Sequence, residues 1–438
     1  MTSVRRGISH RVCGATGAVL FACMGWVGCT RQPADERTEI LFYDHAYAHW
    51  TRMNRDRIAL FENRNPDVRI KLVPGTAEKL LGMIAGGVPP DVFISDTVSV
   101  PFFARRGVLM PLDERAASDP ELRLDAYFDC TVRACRHAGR TYALPDMFSP
   151  VCLIYNKNLF REAGVSPPAG EWTWDQFLDA CKTLTRDRDG DGRIDQYAVE
   201  VIWSHHRWPI FVWQNGGEIY DPPSDRYVMS SPEAVEAIRW LHDLVHVHRV
   251  SPSELEEMRG VAAQRWDFRF AEQRVAMLAN TRFYVDTMRG FGGFEVGVCH
   301  LPRGRRKATL MIGTAIMIHA RTPHPEAAWR FARFLASPIS QEMSESCGRG
   351  LPSHRATAER VTRHPGLSPD GDHVFVEAAE YCRPKDFEIT ELRRANYDAF
   401  MVFYRIPRGV ISPAEACRHF DDVLNTALRR YRAMGGAG

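Results

Sequence analysis

The sequence predicts an exported α/β protein whose mainly parallel sheet is flanked by helices, with length for two domains. Three observations carry this. A β-α-β-α-β order fills the stretch from Glu39 to Asp96, the pattern of a parallel sheet covered on both faces. Hydrophobic residues make up 45% of the chain and charged residues 25%, the balance of a soluble globular protein. The first thirty residues are laid out as a secretory signal.

Arg5, Arg6 and Arg11 form the positive head of that signal, and Val12 to Val27 contains no charged residue. The run is short and glycine-rich for a membrane span. Gly28-Cys29 follows, and a cysteine directly after a small residue resembles the lipobox of bacterial lipoproteins. Cys29 is therefore the expected lipidation site and mature N-terminus, although Trp26 stands where that pattern carries an aliphatic residue. Removing residues 1–28 of the 438 leaves 410, enough for two full cores. Residues 29–38 form the expected tether.

Glu39–Tyr43 reads as a first buried strand, with Asp44, His45 and Tyr47 at its carboxyl end. A helix is expected over Trp50–Asn63, then an alternating strand over Val68–Val73. A second helix spans Ala77–Gly86 and stops at Gly86-Gly87 and Pro89-Pro90. Asp91–Asp96 is a third short strand. Ligands of such sheets sit at the carboxyl ends of the strands, here Asp44–Tyr47 and Asp96–Thr97. Val151–Asn156 is an apolar strand with Pro145 and Pro150 ahead of it. Helices are expected over Trp174–Thr185 and Pro232–His246, separated by an aromatic stretch from Trp203 to Tyr220. A strand over Leu310–Ile318, an amphipathic helix over Glu326–Ala336 and a final helix over Ala414–Tyr431 complete the pattern.

With 56 basic and 54 acidic residues interspersed, nothing points to a polyanion, and no nucleic-acid partner is expected. Of eleven cysteines, Cys13 and Cys23 leave with the signal and Cys29 takes the lipid; eight remain. Export permits disulfides, and Cys130 and Cys135 are close enough in sequence to pair, although connectivity cannot be read from sequence. No zinc-type spacing occurs.

Several segments, in order, resemble the extracellular solute-binding proteins of bacterial ABC importers, the large family that binds mono- and oligosaccharides. They are Gly86–Phe93; Tyr142–Pro145 followed by Leu153–Phe160 and Ala163-Gly164; Trp172–Phe177; Asn215–Gly217; Ala327–Phe331 with Phe334-Leu335; and Gly350–Ser353. The resemblance implies the two-lobed periplasmic-binding-protein fold, type II-like, hinged between lobes. Lobe one is expected at 37–145 plus 314–360 and lobe two at 146–313 plus 361–438. It also implies capture of a solute in the interlobe cleft, lobe closure, and delivery to permease subunits by a monomer, with no covalent chemistry. An exported glycan-acting enzyme would instead need two facing carboxylates, and a sensor subunit would use the same fold and cleft.

A saccharide presents hydroxyls in every direction and apolar C–H faces, so its site needs flat rings and two-ended hydrogen-bonding groups. Asp44, His45 and Tyr47 supply both, and Asp96 follows the third strand; either aspartate equally fits a helix N-cap. Family position implies His206 and Trp208 as wall residues, then Arg282 with Phe283, Arg349, and Asn396 with Tyr397. Asp187, Asp189, Asp191 and Asp195 fall at positions one, three, five and nine of a calcium-loop pattern, with Gly192 at six. Position twelve is Ala198 rather than the bidentate Glu. No cofactor is required, and a structural calcium is the one metal the pattern suggests. His242 and His246 lie one helical turn apart, but Asp243 replaces the Glu of a zinc-protease motif.

Overall fold

β1 (Thr38–His45), β2 (Val68–Gly75) and β3 (Val92–Asp96) form where the apolar runs predicted them. In β2 Val68 and Ile70 are buried while Arg69 and Lys71 face solvent, the period-two pattern of a half-covered strand. The connecting helices are α1 (Ala48–Arg64) and α2 (Ala77–Ala85), and α3 (Val100–Arg105) follows β3. The protein is described here by a computed structural model covering residues 37–168, 170–201, 207–253, 266–346, 348, 350–363 and 371–435. Cys29, His206 and Arg349 lie outside these residues.

The middle of the chain contributes β4 (Ala143–Asn156), α4 (Trp174–Leu184), β5 (Tyr197–Glu200), α5 (Trp208–Gln214) and α6 (Pro232–His246). Thr173 and Gln176 close a capping box on α4, and the Ser231 hydroxyl accepts from the Ala234 N–H to start α6. β6 (Val275–Thr281), β7 (Val296–Cys299) and β8 (Thr309–Ile318) follow. α7 (Pro325–Ala336) buries Ala328, Phe331, Ala332 and Leu335, one continuous stripe at helical spacing. Near the end come α8 (Arg393–Met401) and α9 (Pro413–Ala433), the latter opened by a Ser412/Glu415 capping box.

These strands line up in the order β2-β1-β3-β8-β4-β6-β5, with β7 also paired to β4. β1 runs parallel to β2 and β3, and β6 parallel to β5. The sheet is mixed because β8 is antiparallel to β3 and β4, and β4 is antiparallel to β6 and β7. β4 is longer than its apolar run predicted. Pro145 and Pro150, expected ahead of the strand, lie inside it opposite Ala315 and Met311. Proline removes a ladder donor, and the β4–β8 register shifts by a bulge between Gly313 and Ala315. β4 and β8 thus run side by side between the two halves of the sheet.

Each half has its own core. Ile40, Phe42, Val92, Ile94, Leu144, Ile316, Phe331 and Leu335 cluster on one side, flanked by Tyr43, Phe93, Val100 and Phe103. Val151, Leu153, Trp208, Ile238, Leu241, Phe400, Phe403 and Phe420 cluster on the other. A third cluster with Phe128, Phe148, Cys152, Leu278, Met311, Leu351 and Phe375 lies along the crossing strands. Cys130 belongs to this third cluster and Cys135 to the first side, and both are free thiols, as are the other described cysteines. Among the described residues, no helix is long and apolar enough to cross a membrane.

Candidate functional site

The carboxyl ends of β1, β3 and β6 and the bulged stretch of β8 open onto one cleft of about 1540 Å³, part of it open solvent. From the β1 side come His45, Tyr47 and Trp50. The chain leaves β1 and turns into α1 here, so three aromatic rings gather within two helical turns. The Tyr47 and Trp50 rings meet edge to face at 4.5 Å, and His45 lies 6.4 Å from Tyr47 and 6.2 Å from Trp50. Tyr47 is 55% exposed, so its ring is open to solvent at the cleft.

The end of β3 contributes Asp96, Thr97 and Val98. Burial raises the Asp96 carboxyl above its ordinary value; His45 and Lys385 oppose that rise, and Glu388 adds to it. Lys385 also lines the cleft and is paired with Glu388. Burial lowers its ammonium, against the pull of Glu388 and Asp96.

The opposite wall carries Phe283 and Tyr284, directly after β6, with Thr281 and Arg207 beside them. Phe283 is seated by Gly350: with φ at +104°, this residue takes a conformation that L side chains rarely adopt. A Cβ there would come within 2.7 Å of the Phe283 ring. Arg207 donates from Nε to the Ala279 carbonyl at 2.7 Å and from Nη2 to Asn280 Oδ1 at 2.7 Å. Burial lowers its guanidinium to about 10. Thr314, on the floor, donates through Oγ1 to Asp146 Oδ2 at 2.8 Å.

Of the residues expected to bind ligand, His45, Tyr47, Asp96 and Phe283 meet in this cleft. Asp44 does not. It is fully buried, accepting from the His45 N–H at 2.8 Å and from Asn54 Nδ2 at 2.7 Å, so it braces the β1–α1 turn from below. Trp208 is a core residue rather than a wall: it is fully buried and stacks on Phe403 at 4.5 Å. Arg282 points away from the cleft into an ion network with Glu345 and Asp372. Asn396 is buried and donates to the Ile389 carbonyl at 2.9 Å, which fixes the turn into α8. Tyr397 is exposed on α8 and does not line the cleft. Trp50, Arg207, Tyr284, Thr314 and Lys385 were missed. Tyr284 adjoins a residue that the pattern did select, and Trp50 sits in the first turn of α1 just after Tyr47; Lys385 carries no local signal.

In the aspartate loop three of the four carboxylates of the expected pattern come together. Carboxylate oxygens of Asp187, Asp189 and Asp195 lie within 4.8 Å of one another. Asp191 is not of that group; its carboxylate caps the Arg193 N–H at 2.8 Å. Asp187 accepts from Gly190 and Gly192, and Asp195 from Arg188, so backbone amides already use part of the set. Ala198 is buried in β5 and offers no ligand. His242 pairs with Asp243 and His246 with the Ile406 carbonyl, a helix end tied to its neighbours.

Rings on two facing walls can take the C–H faces of a flat, hydroxylated molecule. The polar groups between them can hold its hydroxyls. The family profile described as bacterial extracellular solute-binding protein matches residues 47–342. An arabinooligosaccharide-binding protein of Halalkalibacterium halodurans is 25% identical over 70% of this chain and 69% of its own length. A maltotriose-binding protein of Pyrococcus abyssi is 22% identical over 66% of this chain and 62% of its own length. Among solved structures, the sugar-binding protein MalE of Xanthomonas citri aligns with a TM-score of 0.77, at 21% identity, over 92% of this chain and 100% of that one. A Listeria monocytogenes ABC substrate-binding protein in complex with cycloalternan aligns at 0.76, with 23% identity, over 89% and 99%.

Proposed function

The chain belongs to the bacterial extracellular solute-binding protein family, and from that premise we propose that it captures a mono- or oligosaccharide between its lobes for delivery to an ABC importer. The observation that carries this reading is the pairing of Tyr47 and Trp50 on one wall with Phe283 and Tyr284 on the other. Two ring-bearing walls suit a ligand with two apolar faces and hydroxyls at its rim. Asp96, Lys385 and Thr314 supply the rim hydrogen bonds, charge-assisted where the group is ionised.

Contact with both walls makes the ligand favour the state in which the lobes are close, since it gains both sets of contacts only there. In this reading the lobes are 37–145 plus 314–360 and 146–313 plus 361–438, with β4 and β8 running side by side between them. Membrane attachment is through lipid on Cys29, and the downstream partners are permease subunits. A glycan-acting enzyme is the less favoured reading. The two relatives are named as binding proteins, and Asp96 is the one carboxylate among the described cleft-lining residues.

The test is a thermal-shift screen of the chain from residue 30 onward against mono-, di- and oligosaccharides, polyols and sugar phosphates. A ligand that binds the folded state alone raises the melting temperature. One saccharide class should shift it, and Tyr47→Ala should weaken that shift. Steady turnover of a glycan, abolished by Asp96→Asn, would replace capture with catalysis.

A further inference from the structure

One edge of the cleft is already bridged between the two cores. α3 buries Val100 and Phe103 on the first side. The segment carrying Phe387, Ile389 and Leu392 packs on the second. Between them Glu391 takes two arginines at once. Arg105 approaches as a fork, donating from Nε to Oε1 at 2.9 Å and from Nη2 to Oε2, while Arg106 donates from Nη1 to Oε1 at 2.8 Å. The Glu391 side chain is only 5% exposed. Burial acts to raise its carboxyl, and the hydrogen bonds from Arg105 and Arg106 outweigh burial and hold it below its ordinary value.

The bridge continues to the binding site without a gap. Thr390 Oγ1 donates to the Val98 carbonyl at 3.3 Å, and Val98 lines the cleft. Further in, Lys385 and Asp96 interact electrostatically across the same edge. Arg115–Glu326 and Arg330–Asp67 join residues on the first side, and Arg383–Glu218 and Arg432–Asp225 on the second; Arg282–Glu345 and Arg355–Glu380 also cross the expected lobe bounds, away from this edge of the cleft. Glu391 is the cross-lobe carboxylate at this edge, and both of its cations come from the opposite core.

We propose that Arg105, Arg106 and Glu391 form an interlobe clasp, positioning residues that set solute affinity from outside the contact surface. The inference rests on the capture reading above. The clasp joins walls that a bridging ligand also joins, so both favour the same approach of the lobes. A buried carboxylate is stable only while its partners remain; separating the lobes costs the Glu391 pairs as well as any ligand contacts. Without the clasp, the binding-competent arrangement is less populated, and apparent affinity falls by that fraction.

Small-angle scattering on the unliganded chain tests this without knowledge of the natural solute. Glu391→Gln should raise the radius of gyration by roughly 1 Å on the about 21 Å of a compact chain of this length. The exchange Arg105→Glu with Glu391→Arg should restore it. In parallel, titration with maltotriose as probe should give an affinity roughly tenfold weaker in Glu391→Gln, carried by faster dissociation, and recovered in the exchange. Unchanged scattering in a Glu391→Gln variant of native circular dichroism overturns the clasp, as does a tighter maltotriose complex. Should maltotriose not bind the parent chain, the capture reading is what suffers, and the scattering comparison still decides the clasp.

Discussion

Arg282→Met separates a scaffold from a ligand contact, because family position suggested one role and the structure gives the other. The guanidinium donates to Asp372 Oδ2 at 2.9 Å, to Glu345 Oε1 at 2.6 Å and to the Gly350 carbonyl at 3.2 Å. Its side chain is 4% exposed, and those of Glu345 and Asp372 are 5% and 1% exposed. Methionine fills similar space but leaves Glu345 without its arginine and Asp372 with Arg289, which donates at 3.0 Å. Breaking a buried pair costs about 3–5 kcal/mol; with Asp372 still held by Arg289, about 4 kcal/mol is the working figure. The 402 residues from Arg37 to Gly438 carry an unfolding entropy of about 0.84 kcal/mol/K, at roughly 2.1 cal/mol/K per residue. The quotient is a drop of about 5 °C in the melting temperature of the unliganded protein, read by calorimetry at pH 7. Gly350 seats Phe283, so affinity should weaken only through that displaced ring. An unliganded melting temperature within 1 °C of the parent, with solute binding abolished, would refute the reasoning and return Arg282 to the cleft.

Three further outcomes follow from burial and charge. Trp208→Ala empties a fully buried ring site and should cost about 3–5 kcal/mol; calorimetry without ligand should register it, whereas a wall residue would leave the melt unmoved. Tyr47→Ala removes a ring that is 55% exposed, so the melt should hold while isothermal titration with the solute found by screening weakens about 2- to 12-fold. The acid limb of stability should be set by carboxylates held below their ordinary values, Glu391 and Glu218 among them. Burial opposes both shifts, but arginine hydrogen bonds outweigh it. For such groups the contribution is complete above the ordinary value of 4.5 and is lost as pH falls through the lower folded values. The gap in melting temperature between the parent and Glu391→Gln should therefore close below about pH 4.5; a gap that widens there contradicts the assignment.

The scaffold was legible because it is written in short-range pattern. Alternation in Val68–Val73 and the Gly86-Gly87 stop each concern residues a few positions apart, and each formed where expected. The exception is instructive. Pro145 and Pro150 read locally as strand breakers, yet β4 runs through both. A strand can accept proline where its pairing is irregular, and that irregularity depends on β8, over a hundred residues away.

The cleft-lining residues divide along the same line. His45, Tyr47 and Asp96 were placed at the cleft because strand ends point to a site by topology, and topology could be read from the β-α-β-α-β order. Trp208 and Arg282 were misplaced because their residue types suit both a wall and a core. What decides is the partner: Phe403 lies 195 positions from Trp208, and Glu345 lies 63 positions from Arg282. Lys385 and Glu391 carry no motif at all. Each matters through a group on the opposite core, Asp96 for one and Arg105 with Arg106 for the other. A hinge protein places much of its regulation in such pairs, because only a contact between lobes can distinguish one lobe arrangement from another. Wall residues at strand ends are therefore the ones a sequence discloses, and residues that set the distance between walls are disclosed by coordinates.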